Sequence, residues 1–147
     1  MRHMEVEAHT LEELEVEAAR FAAALLPHLN HATVVLLSGD LGAGKTAFTK
    51  AVAKALGIDE VVNSPTFVLE KIYVLSRGPF KRLVHIDAYR LEQGSDLAPL
   101  GFDELMQNAQ NLILLEWPEK VSDALLAPAA KVSLVANADG SRTISYD

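Results

Sequence analysis

The sequence predicts an α/β domain in three layers, built on a mainly parallel sheet with some antiparallel strands. Three observations predict it. Thr33-Val34-Val35-Leu36-Leu37 and Leu112-Ile113-Leu114-Leu115 are continuous apolar runs, the composition of strands buried on both faces. Stretches of helical periodicity alternate with the strand-like runs. Between the first strand and one such stretch, Gly39-Asp40-Leu41-Gly42-Ala43-Gly44-Lys45-Thr46 fits G-x-x-x-x-G-K-[ST] at every required position.

The elements follow in order. Glu5 to Ala8 reads as a short edge strand. Leu11, Leu14, Ala18, Phe21 and Leu25 then recur at helical spacing and form one apolar face, with Glu12, Glu13, Glu15 and Glu17 mostly outside it. Thr10 with Glu13 reads as a capping box, and Pro27 helps end the helix. Thr46 to Leu56 forms the helix after the glycine-rich loop, with Gly57 as its stop. Phe67 to Val74 and Leu83 to Asp87 read as strands joined around Arg77-Gly78-Pro79, for which a hairpin is the simplest connection. After the buried run at Leu112 to Leu115, Lys131 to Val135 and Arg142 to Tyr146 form a closing pair around Ala138-Asp139-Gly140. There is no repeat and no low-complexity linker. The chain of 147 residues is expected to be one domain, with Met1-Arg2-His3-Met4 given no weight as a possible remnant ahead of a native start.

Composition narrows the function classes. Half of the residues are hydrophobic, yet no apolar stretch reaches the roughly 18 to 20 needed to span a bilayer. No basic segment followed by an apolar core opens the chain, and there are no cysteines, which suits a reducing cytoplasm. A formal charge of -7 argues against direct electrostatic binding of nucleic acid, so contact with RNA is expected to run through a partner. The histidines form no metal pattern, and His85 beside a buried strand reads as structural.

The glycine-rich loop points to a nucleoside triphosphate and Mg²⁺. Its glycines let successive N–H groups turn toward phosphate oxygens, Lys45 reaches the outer phosphates, and the Thr46 hydroxyl can join the metal. The helix opening at Thr46 and Ala47 adds its N-terminal N–H groups. Glu116 ends a buried strand where such sites place a second Mg²⁺ ligand, direct or through water, and is one methylene longer than the usual Asp. Asn63-Ser64-Pro65-Thr66-Phe67 can reach over the third phosphate, with Thr66 as its sensor, or can be an ordinary turn fixed by Pro65. Asp87 can hold the attacking water and Arg90 can offset phosphate charge, or the two can form a structural ion pair. Trp117, the single tryptophan, is placed near the nucleotide by its neighbour Glu116, whether it packs or touches ligand. No Asn-Lys-x-Asp supports a preference for guanine.

Together GDLGAGKTAF (Gly39 to Phe48), SPTF (Ser64 to Phe67), HIDAYRL (His85 to Leu91) and LEWPE (Leu115 to Glu119) closely resemble the TsaE (YjeE) family. The resemblance covers essentially the whole chain. It implies the P-loop NTPase fold and a bacterial cytoplasmic ATPase of tRNA threonylcarbamoyladenosine biosynthesis. Such a protein works with TsaD and TsaB, which transfer threonylcarbamoyl to adenosine 37 of tRNAs reading codons that begin with A. ATP hydrolysis resets that complex between turnovers.

The resemblance further implies that residues 39 to 47 cradle ATP or ADP, that Thr46 and Glu116 bind Mg²⁺, and that Lys45, Thr66 and Asp87 serve hydrolysis. It also sets Thr10, Trp117, Glu119 and Arg142 around the nucleotide, although Thr10 is already explained as a helix cap and Arg142 as a surface strand residue. Two other classes stay open. A small-molecule or nucleoside kinase shares the loop but commonly needs an arginine-bearing lid, and the arginines at 2, 20, 77, 82, 90 and 142 do not cluster. A nucleotide-binding adaptor without hydrolysis is the other.

Overall fold

The computed structural model describes residues 4–58, 69–125 and 129–147. In chain order its elements are β1 (Met4–Ala8), α1 (Leu11–Ala24), β2 (Thr33–Ser38), α2 (Lys45–Ala55), β3 (Glu70–Val74) and β4 (Arg82–Asp87). A 3-10 helix (Gly94–Leu100), α3 (Phe102–Met106) and β5 (Asn111–Glu116) follow. Short 3-10 turns at Pro118–Lys120 and Ser122–Ala124 then lead to β6 (Ala130–Ala136) and β7 (Arg142–Tyr146).

The strands make one seven-stranded sheet in the order β1-β7-β6-β2-β5-β4-β3. Its four central strands, β6, β2, β5 and β4, run parallel, and the flanks are antiparallel. This is the α/β class the apolar runs predicted. On β2, Val35 and Leu37 join the core beneath α1 and α2, while Val34 and Leu36 join a second core on the opposite face. Leu97 and Phe102 close that second core. Leu112, Ile113, Leu114 and Leu115 of β5 are all fully buried, each contributing about 1.5–3 kcal/mol of transfer free energy. A strand enclosed on both faces needs no polar alternation, which is why this one reads as an unbroken apolar run.

Several local expectations are refined. Thr10 caps α1 through the Glu13 N–H at 3.1 Å, but the Glu13 carboxylate accepts from the His9 N–H at 2.9 Å, one residue before the cap. Glu17, placed outside the apolar face of α1, is buried. Its carboxylate accepts hydrogen bonds from Arg20 and, at 2.7 Å, from the Tyr146 hydroxyl. Of the strand expected from Phe67, Glu70–Val74 is observed, preceded by the left-handed Leu69 at φ 65°; Phe67 and Val68 lie outside the described residues. The 3-10 helix and α3 were not foreseen. Pro99 and Gly101 interrupt their sequence before a helical period can establish itself.

Candidate nucleotide site

The glycine-rich loop leaves β2 at Ser38 and enters α2 at Lys45. β4 and β5 end beside it at Asp87 and Glu116, which are register partners, and Glu116 is in turn registered with Leu37 of β2. Partners in one row share a face, so both carboxylates lie on the side of the sheet that carries α2. Ligands of open α/β sheets sit beyond the carboxyl ends of parallel strands, where the loop and the two carboxylates meet.

Backbone packing dictates part of the loop. Gly39 has φ 151°, and a Cβ there would stand 2.6 Å from the Leu134 carbonyl oxygen of β6. Gly42 has φ 82° in open space, so conformation alone favours glycine there. The first turn of α2 has neither a side-chain cap nor an acidic residue, which leaves its N–H groups and dipole for an anion.

Lys45 is buried, and its Nζ donates to the Gly39 carbonyl at 2.5 Å. The same ammonium lies 3.6 Å from the centre of the Trp117 ring. Desolvation holds it below the ordinary lysine value, against the opposing pull of Glu116, Asp87, Glu119 and Asp40. Trp117 is itself left-handed at φ 58°, a conformation costing an L-residue about 1–2 kcal/mol. Its N–H donates to the Leu37 carbonyl at 3.3 Å, and its ring packs on Tyr89. The indole therefore packs and faces the site at once.

Asp87 is buried, and its Oδ1 accepts from the Tyr89 N–H at 3.0 Å. Glu116 is 3% exposed, and its Oε2 accepts from His85 Nε2 at 2.6 Å. Thr46 stands exposed on the first turn of α2. A cavity of about 760 Å³ joins these groups: Leu41, Gly42, Gly44, Lys45, Thr46 and Ala47 line one side, and Asp87, Glu116 and Trp117 another.

Other expected residues take different places. Gly39 and Asp40 act on Lys45 through a hydrogen bond and through charge, and Ala43 is buried in the core beneath the loop. Thr10 and Arg142 line an adjoining hollow of about 170 Å³ that shares Gly44 and Ala47 with the main cavity. Arg142 is more than a surface strand residue, since its Nη2 donates to the Gly42 carbonyl at 3.4 Å. Glu119 is exposed and acts on Lys45 through charge, without lining either cavity. Arg90 is exposed beyond Asp87. Thr66 lies outside the described residues, with the rest of its motif.

Sequence reasoning missed five lining residues: Leu11, Glu15, Lys50, Ala51 and Tyr89. Leu11, expected on the core face of α1, is 60% exposed and lines the cavity from the first residue of the helix. Lys50 could have been found, since it follows Thr46 by one helical turn. A Mg²⁺ ion fits the oxygen donors present, the Thr46 hydroxyl and the Glu116 carboxylate. Among the described residues the second Glu116 oxygen has no protein hydrogen bond. Among the described residues there is no cluster of three or more His, Asp or Glu that could hold a metal ion.

Comparison with known proteins gives a consistent picture. Residues 12–144 match the family model described as "Threonylcarbamoyl adenosine biosynthesis protein TsaE". The tRNA threonylcarbamoyladenosine biosynthesis protein TsaE of Rickettsia typhi is 39% identical over 127 residues, 86% of this chain and 84% of that protein. The protein of the same name from Treponema pallidum is 36% identical over 129 residues, covering 88% and 92%. The crystal structure of Bacillus subtilis YdiB superposes with a TM-score of 0.79 at 31% identity, over 99% of this chain and 84% of that one.

Proposed function

This chain belongs to the TsaE family of tRNA threonylcarbamoyladenosine biosynthesis, and from that premise we propose that it is a Mg²⁺-dependent ATPase that resets a TsaD/TsaB complex between turnovers. The whole chain acts as one ATPase domain in the cytoplasm and meets tRNA indirectly, through that complex. No helix among the described residues is long and apolar enough to cross a membrane, and the net charge is -7, both in keeping with this role.

The observation that carries the reading is that Lys45, Thr46, Asp87 and Glu116, drawn from the loop and two strand ends, line one cavity. ATP lays its phosphates along residues 39 to 47, where backbone N–H groups and the start of α2 receive them. Lys45 exchanges the Gly39 carbonyl for a phosphate oxygen. Thr46 and Glu116 hold Mg²⁺, which when bound neutralises charge on the outer phosphates. Asp87 orients a water whose oxygen attacks the γ-phosphorus; the bond from that phosphorus to the bridging oxygen breaks, and ADP leaves with phosphate, which keeps the water's oxygen and one of its protons while the other is released to solvent. Thr66 contributes a hydroxyl beside the third phosphate. Thr10, Trp117, Glu119 and Arg142 surround the remainder of the nucleotide, consistent with the hollow that Thr10 and Arg142 share with Ala47.

Phosphoryl transfer leans on arginine, and a missing one costs about 10³ to 10⁵ in rate. Arg142 is engaged with Gly140 and Gly42, and Arg90 is exposed, so hydrolysis by the isolated chain is slow and partners accelerate it. Steady-state phosphate release by the wild type and Asp87→Ala, each alone and with TsaB and TsaD, tests this. The wild type is stimulated, while the variant binds ATP without stimulated turnover. Equal wild-type rates with and without partners would favour the adaptor, and phosphate transfer to an added hydroxyl acceptor would favour the kinase.

A further inference from the structure

Glu116 is held from behind by a residue that the proposed chemistry does not use. His85 lies on β4 two residues before Asp87, is 1% exposed, and places Nε2 2.6 Å from Glu116 Oε2. A carboxylate accepts only, so Nε2 carries the hydrogen and donates it. The other ring nitrogen, Nδ1, is buried without a hydrogen-bond partner among the described residues. The ring thus makes a single polar contact and leaves one nitrogen unsatisfied. A leucine would fill such a site without that cost, so packing does not account for a histidine here.

We infer that His85 is a positioning residue for Glu116, fixing the carboxylate so that its second oxygen is presented to the Mg²⁺ of the bound nucleotide. The inference rests on Glu116 being the metal-side carboxylate. Three features of the fold support it. β4 and β5 are adjacent parallel strands, so His85 and Glu116 are set diagonally on one face by the sheet register. Glu116 is nearly fully buried, and a carboxylate with one oxygen tied cannot rotate freely. The other oxygen has no protein hydrogen bond among the described residues, while the side chain lines the cavity that Thr46 also lines. Outer partners of metal ligands typically contribute about 10- to 100-fold in metal affinity.

The test is ADP binding to the full chain by calorimetry, once with Mg²⁺ and once with chelator, so that the ratio of the two affinities reads the metal alone. His85→Leu lowers that ratio about 10- to 100-fold and leaves the affinity in chelator unchanged. His85→Gln, whose amide nitrogen reaches toward the place of Nε2, retains most of the ratio, and the shorter His85→Asn does not. If His85→Leu fails to fold, the Gln and Asn variants carry the comparison. In a Glu116→Gln background, His85→Leu costs nothing further. A wild-type ratio in both His85→Leu and His85→Asn, with Glu116→Gln impaired, overturns the role of His85 and leaves Glu116 at the metal. A wild-type ratio in Glu116→Gln overturns both. Equal losses with and without Mg²⁺ would make His85 a packing residue.

Discussion

The ammonium of Lys45 rests over the face of Trp117, 3.6 Å from the ring centre, while it donates to the Gly39 carbonyl. A cation held against an indole is attracted by the ring quadrupole, by about 0.5–2 kcal/mol depending on desolvation. That attraction is small beside what two or three phosphate oxygens offer, so nucleotide draws Lys45 off the ring. The emission of Trp117 is expected to change on saturation with ADP or ATP, and Lys45→Ala should alter the nucleotide-free spectrum in advance. With one tryptophan in the chain the signal has a single source. An unaffected spectrum, with binding verified by calorimetry, would place the lysine elsewhere.

The alkaline limb of nucleotide binding should report the same lysine. Burial lowers its ionisation from the ordinary 10.5, whereas bound phosphates favour the charged form and raise it again. Affinity is then complete below the value of the free protein and falls as pH rises through it, beginning below 10.5. Calorimetry of ADP in buffers of different ionisation enthalpy should detect proton uptake across that window. An affinity that stays flat up to 10.5 would contradict it.

Two loop glycines should differ in what they tolerate. Gly39→Ala drives a methyl to within 2.6 Å of a backbone oxygen on β6, an overpacking cost of about 1–3 kcal/mol on top of any conformational strain. Gly42→Ala meets nothing within 4 Å and carries the conformational cost alone, about 1–2 kcal/mol. Urea unfolding should rank Gly39→Ala as the less stable, and similar midpoints would show that the loop yields at β6.

Tyr146 on the last strand secures α1 through Glu17. Burial raises the Glu17 carboxyl, but hydrogen bonds from Arg20 and Tyr146 outweigh it and hold the group below 4.5. The stabilisation is present above that unfolded-state value and is lost as pH falls through the lower native one. Tyr146→Phe should cost about 1.5–3 kcal/mol at neutral pH, the range for a hydrogen bond to a charged group. The difference from wild type should shrink in acid, and urea titrations at neutral and acidic pH would detect it. A constant difference would assign the loss to packing on Phe21, whose ring stacks on Tyr146 at 5.4 Å.

What the sequence disclosed, and what it withheld, divides along the range of the interactions. The β2–loop–α2 unit and the strand ending in Glu116 are written locally, in apolar runs and a fixed glycine spacing, so they were legible. Asp87 and Glu116 were legible as strand ends, but their sharing of one register row was not, because register is set by the whole sheet. Glu17 looked like one more solvated glutamate of α1, since its partner Tyr146 lies 129 residues away. His85 was read as structural for the same reason, its partner being on another strand. Arg142 touches the loop through a carbonyl at Gly42, a contact that no side-chain pattern announces.

The first strand has its place beside the last. β1 pairs with β7 along its whole length, from Met4 opposite Tyr146 to Ala8 opposite Arg142, and occupies the edge of the sheet beyond it. Strands far apart in the sequence, β1 and β7, therefore have to meet before this edge of the sheet exists. The glycine-rich loop packs on β6 through Gly39 and is touched by Arg142 of β7, and the hollow lined by Thr10 and Arg142 joins the start of α1 to the same strand. Pairings this distant in sequence slow folding, because chain closure must precede the contacts that reward it. A change that loosens the β1–β7 pairing should therefore be felt in the hollow beside the loop as well as at the sheet edge.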